Sequence, residues 1–122
     1  MIRKFQDQPA EFRPNMRGGI GTVSVQQLFA PEAFGAPIRL CARLTLPAGA
    51  SIGSHAHEGE DEVYVITRGR GLLADGDDET VVGPGDAVLT GRGASHRIAN
   101  AGSEPLELLA FIVRYPAPAA GA

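Results

Sequence analysis

At 122 residues, 43% of them hydrophobic and 20% charged, the chain has room for one domain whose core needs no disulfide or metal to support it. Its 16 Gly and 9 Pro are too many for a helical bundle, and the composition is too apolar for a disordered chain. A net charge of −3 and a pI near 5.5 rule out the basic surface that phosphate backbones or anionic lipid would need, so neither nucleic acid nor membrane is an expected partner.

Residues 1–21 carry Pro9, Pro14 and the cluster Gly18, Gly19, Gly21, which predicts an extended N-terminal arm. Its basic residues Arg3, Lys4, Arg13 and Arg17 read as a solvated edge. The opening Met-Ile-Arg-Lys-Phe-Gln-Asp lacks the apolar stretch of a signal peptide, and no segment approaches the ~20 apolar residues of a membrane span. A soluble, cytoplasmic protein is expected.

From Thr22 onward, apolar and alternating runs predict strands at 22–29, 38–46, 51–57, 62–67, 70–74, 79–82, 86–90, 95–99 and 106–113. A single helical turn fits 30–34. Gly, Pro, Asp and Asn cut every apolar run before three helical turns accumulate, as at Pro47-Ala48-Gly49, Gly69-Arg70-Gly71 and Gly83-Pro84-Gly85. Short strands spaced this way are the mark of an antiparallel sandwich or barrel, here over 22–115. The run Leu106 to Val113 and the segment Val63 to Ile66 are apolar on both faces, so a partner subunit or the arm should cover the outer one. Cys41, the single cysteine, reads as a small buried hydrophobe. The tail 116–122, Pro-Ala-Pro-Ala-Ala-Gly-Ala, can form neither ladder nor core and should fray.

All three histidines fall at informative places. His55 and His57, two apart on a predicted strand, can aim at one point. Glu62 opens the next apolar strand on the face of Tyr64 and Ile66, and His96 starts a strand after the Gly91-Arg92-Gly93 turn. Neutral imidazoles plus a carboxylate suit a divalent transition ion, whether Fe, Mn, Ni, Zn or Co. The bland reading is three unrelated histidines and an incidental Glu, against which the spacing and the absence of any other histidine weigh. Glu58, Glu60 and Asp61 read as solvated loop charges.

The segment Gly49-x5-His55-x-His57-x4-Glu62-x6-Gly69 resembles the first signature of the cupin superfamily. Gly85-x5-Gly91-x-Gly93-x2-His96-x3-Asn100 resembles the second, with Gly91 where that family usually has proline. The resemblance implies an all-β double-stranded β-helix, or jelly-roll, barrel that binds one divalent metal through His55, His57, Glu62 and His96. It also implies a homodimer. Asn100 reads as a turn residue.

Three imidazoles and one carboxylate leave about two positions of an octahedral ion open. The expected function is a small metalloenzyme with dioxygenase, isomerase, lyase or decarboxylase-type chemistry on a small oxygenated metabolite chelated to the metal. The alternative is a metal- or ligand-binding sensor module without turnover. Strand parity places Tyr64, Ile66 and Ile98 in the pocket. Tyr64 is a candidate acid or hydrogen-bond donor, or simply a barrel-filling aromatic. Arg39 and Arg43 share a face by the same parity, and Arg43 either binds a substrate carboxylate or points outward to solvent.

Overall fold

A computed structural model describes residues 1–117; of the predicted tail, residues 118–122 lie outside the described residues. Two antiparallel sheets face each other as a jelly-roll barrel. The strands are β1 (Ala10–Pro14), β2 (Thr22–Gln27), β3 (Ile38–Leu46), β4 (Ser51–Ala56), β5 (Glu60–Arg68), β6 (Gly71–Asp75), β7 (Asp78–Val82), β8 (Ala87–Gly91), β9 (Ser95–Asn100) and β10 (Leu106–Arg114). The larger sheet runs β1-β2-β3-β10-β5-β8 and the smaller β4-β9-β6-β7.

Alternation decides which side chains fill the barrel. Ala42, Leu44 and Leu46 of β3, Leu106, Leu108 and Ala110 of β10, and Tyr64 and Ile66 of β5 point inward and are buried. Ile52, Leu73 and Ile98 meet them from the smaller sheet. Each fully buried aliphatic here stabilises the fold by roughly 1.5–3 kcal/mol. Cys41 is buried, and its thiol is shifted upward by that burial. A single 3₁₀ turn, Pro31–Ala33, occupies the expected helical site.

All nine predicted strands occur, with ends moved by a residue or two. The sequence reading had no β1. Its flanking prolines argued against a strand, but an edge strand tolerates proline because one side of its backbone has no ladder to join. β1 pairs with β2 from Ala10 opposite Gln26 to Pro14 opposite Thr22. Residues 10–14 of the expected arm are therefore part of the sheet.

Two register breaks shape the interior. β4 pairs Ile52 with Ile98 and His55 with His96, so two residues on β4, Gly53 and Ser54, stand opposite one on β9, Arg97. This bulge at Gly53 and Ser54 lets both Ile52 and His55 face inward, which strict alternation forbids. On β3, Leu40 pairs with Ile112 and Ile38 with Val113, which leaves Arg39 as the extra residue. The bulge turns Arg39 away from the face of Cys41 and Arg43.

Phe111 of β10 lies opposite Val63 of β5, and Val63 lies opposite Leu89 of β8, forming an apolar row on the outer face of the larger sheet. Phe5 of the N-terminal segment lies over one corner of that face, 5.2 Å from the Arg43 guanidinium carbon. Leu89 remains 69% exposed.

Candidate metal centre

His55 enters the site from β4, His57 from just beyond its end, Glu62 from β5 and His96 from β9. His57 stays in line because its N–H donates to the Ala94 carbonyl at 3.0 Å and its own carbonyl accepts from Gly93 N–H at 2.8 Å. The four donor atoms lie within 4.8 Å of one another. His57, Glu62 and His96 are buried, while His55 is partly open at the mouth.

Each imidazole is held by its Nδ1. His55 Nδ1 faces the Gly53 carbonyl at 2.7 Å, His57 Nδ1 faces a Glu60 carboxylate oxygen at 2.7 Å, and His96 Nδ1 meets the Thr90 hydroxyl at 2.9 Å. A carbonyl and a carboxylate only accept, so the first two rings carry their proton on Nδ1 and present a bare Nε2 lone pair. Those lone pairs converge. His57 Nε2 and His96 Nε2 are 3.0 Å apart, and His96 and His55 3.1 Å. Glu62 Oε1 lies 2.9 Å from His57 Nε2 and 3.0 Å from His96 Nε2.

Acceptors crowded this closely repel unless something positive lies between them. Glu62 Oε1 is buried and has no hydrogen-bond partner, a costly state for a carboxylate oxygen. Donors bonded at about 2.1 Å to one ion and at right angles to each other stand about 3.0 Å apart. The spacing fits such an ion, and the donor set of three imidazoles and one carboxylate suits a divalent transition metal.

The surroundings tune these groups. Burial is the main force lowering the His55 pKa, which keeps that ring neutral. Glu60 accepts a two-pronged bond from Arg39, at 2.9 and 2.8 Å, and this contact above all holds its carboxyl down at about 2. Glu60 was expected as a solvated loop charge. It opens β5 instead, and the bulge at Arg39 supplies the guanidinium that makes its burial tolerable. Asp61 accepts from the Tyr115 hydroxyl at 2.6 Å.

Tyr64 lies against His96, ring centroids 4.9 Å apart and planes 15° from parallel. Burial, then the Glu62 charge beside it, drives its pKa well up, so it is a neutral phenol with a proton to donate. A cavity of about 150 Å³ opens over the cluster, lined by His55, His57, Glu62 and Tyr64 and rimmed by Arg13, Arg17 and Arg39. Of the other residues expected in a pocket, Ile66 and Ile98 are fully buried in the core below. Arg43 points outward: its Nη1 donates to Gln8 at 2.6 Å, and Glu107 lies 3.6 Å from its Nε. Arg39 takes the place by the cavity that parity had offered to Arg43, because a bulge cannot be read from alternation. Arg13 and Arg17 are read from the sequence as a solvated edge; they line the cavity because β1, which carries Arg13, and the turn that carries Arg17 come to it only in three dimensions.

The model of the cupin domain matches residues 42–112. This chain belongs to the cupin family. An oxalate-binding protein of Thermotoga maritima is 44% identical to this cupin over 113 residues, 93% of each chain. The crystal structure of a predicted oxalate decarboxylase from Thermotoga maritima superposes with a TM-score of 0.90 at 40% identity, over 93% of this chain and 99% of that one. The TT1209 structure from Thermus thermophilus, at 23% identity and a TM-score of 0.71, covers 94% of this chain and 98% of its own, and shares the fold.

Proposed function

We propose that this cupin holds one divalent transition metal through His55, His57, Glu62 and His96 and acts on a small oxygenated carboxylic acid, of which oxalate is the first candidate. The observation that carries the reading is the crowding of three imidazole Nε2 atoms beside a buried carboxylate oxygen that has no hydrogen-bond partner. Ligand pockets usually measure ≈ 300–1,000 Å³, so a cavity of about 150 Å³ suits a ligand of only a few carbons. Of the arginines at the rim, Arg17 has no carboxylate partner among the described residues, and it favours an anion. The Thermotoga relative named for oxalate binding supports the same ligand class.

When bound, a divalent ion would supply Lewis-acid polarisation of the acid's oxygens, or a redox centre beside them. The chain's own residues do the rest. Thr90, Glu60 and the Gly53 carbonyl fix the three imidazoles, Tyr64 keeps a proton at the floor of the cavity, and the packed barrel beneath excludes water. A neutral phenol there fits decarboxylation, in which the carbon that loses carbon dioxide must gain a proton.

The second reading is a binding module that sequesters the same acid without turnover, as the name of the Thermotoga relative suggests. Two measurements test both. Elemental analysis of protein purified without added metal should find one equivalent of a transition ion, and His96→Ala should lose most of it while remaining folded. Full stoichiometric metal in His96→Ala would refute the ligand set. Oxalate should bind the metal-loaded protein in calorimetry, and release of formate or carbon dioxide separates an enzyme from a binder.

A further inference from the structure

Three arginines line the cavity, and the guanidinium groups of two are already paired with carboxylates. Arg13 pairs with Glu11 at 3.0 Å and Arg39 with Glu60 at 2.8 Å. Arg17 has no ion pair and no side-chain hydrogen bond among the described residues. Its side chain is exposed, but the backbone that carries it is held. That backbone is left-handed, φ +54°, as is that of Asn15 at +51°, a conformation uncommon for residues other than glycine and Asn.

The imposing contacts are visible. Asn15 N–H donates to the Gly21 carbonyl at 2.8 Å, and the Asn15 side-chain amide donates to the Gly19 carbonyl at 3.2 Å. Ser51 N–H donates to the Ile20 carbonyl at 2.8 Å, while Ile20 N–H donates to the Ser51 hydroxyl at 2.9 Å. The Arg17 carbonyl sits on Gly53 so closely that a Cβ there would collide with it. Strained, non-glycine backbone clamped over a cavity is a common signature of a functional position.

We propose that Arg17 is the anchor for the outer carboxylate of a small doubly negative acid whose other oxygens reach the metal. This rests on the metal-chelate reading given above. Charge supports it: a divalent ion offset by Glu62 leaves one positive charge in the cavity, and Arg17 adds a second. A dianion balances both, and a monoanion does not. The guanidinium fork also matches a carboxylate in shape, which an ammonium would not.

The test uses full-length protein loaded with manganese(II), with calorimetric affinity for oxalate and for glycolate as the readouts. Glycolate offers a carboxylate and a hydroxyl to the ion but carries one charge fewer. Arg17→Gln should weaken oxalate binding by at least about tenfold, the worth of one charge-assisted bond, and glycolate binding by less than about threefold. Arg13→Gln should change oxalate binding by less than about threefold. Metal content, measured separately, should be equal in all three proteins. A smaller oxalate loss in Arg17→Gln, an equal loss for both probes, or an equal effect of Arg13→Gln would overturn the proposal alone. Wild-type protein that holds no ion, or that binds neither probe when loaded, would overturn the metal-chelate reading and this proposal with it.

Discussion

Glu60 lies behind the proposed metal ligands, one bond removed from His57 Nδ1, and Arg39 braces it. Partners of this kind fix the tautomer and raise the basicity of the ligand ring. Glu60→Gln should therefore weaken metal affinity by about 10–100-fold, measured by competition with a chelating dye. The same carboxylate has a pH signature. Its ordinary value of 4.5 falls to about 2 in the folded chain, chiefly through Arg39. A depressed acid stabilises the fold above its unfolded pKa and loses that contribution as pH falls toward the folded one. The stability gap between wild type and Glu60→Gln, both metal-free, should thus be full at pH 7 and shrink from about 4.5 downward, as urea melts at pH 7, 4 and 3 would show. Nothing in the sequence around Glu58, Glu60 and Asp61 distinguishes this role, because it depends on a guanidinium that a distant bulge delivers.

At the scale of strands, the spacing of His55 and His57 predicts that the two side chains converge, which they do, but by an incomplete argument. Two residues apart on a regular β4 would face together, but they would face away from Ile52, and Ile52 is buried. The bulge at Gly53 and Ser54 reconciles them, and its carbonyl then receives His55 Nδ1. Gly53 has an ordinary negative φ, so its side chain is excluded by space and not by torsion. Gly53→Ala should push the Arg17 turn off β4, cost about 1–3 kcal/mol in urea unfolding and lower metal retention, since the strain falls on the segment that carries His55. Unchanged stability and metal content would mean that the turn is more yielding than its hydrogen bonds indicate. Strand existence was legible because turns and alternation are local. Bulges were not, since they show only when two strands are laid side by side.

For the whole molecule, the signal was strongest where it was redundant: ten strands of a barrel leave many apolar alternations, and two spaced His/Glu/Gly patterns lie within residues 49–100. β1 escaped because its partner, β2, is what makes it a strand. The core of Leu44, Leu46, Leu106 and Leu108 contains none of the donor atoms, so the fold should outlast the ion. Stripping metal with a chelator should leave the far-ultraviolet circular dichroism unchanged. It should lower the melting temperature by roughly 10 °C relative to protein with free metal at about a hundred times its Kd, which corresponds to about 2.7 kcal/mol. Collapse of the β signal on chelation would show that the ion is a structural strut. Arg13, Arg17 and Arg39 all precede residues 42–112, the stretch matched by the cupin domain, whereas the imidazoles and Glu62 fall inside it. The socket for the ion and the collar of arginines above it are thus set by different stretches of one barrel. Exchanging the short turn at residues 15–18 for that of another cupin should change which acids are taken and leave the ion in place.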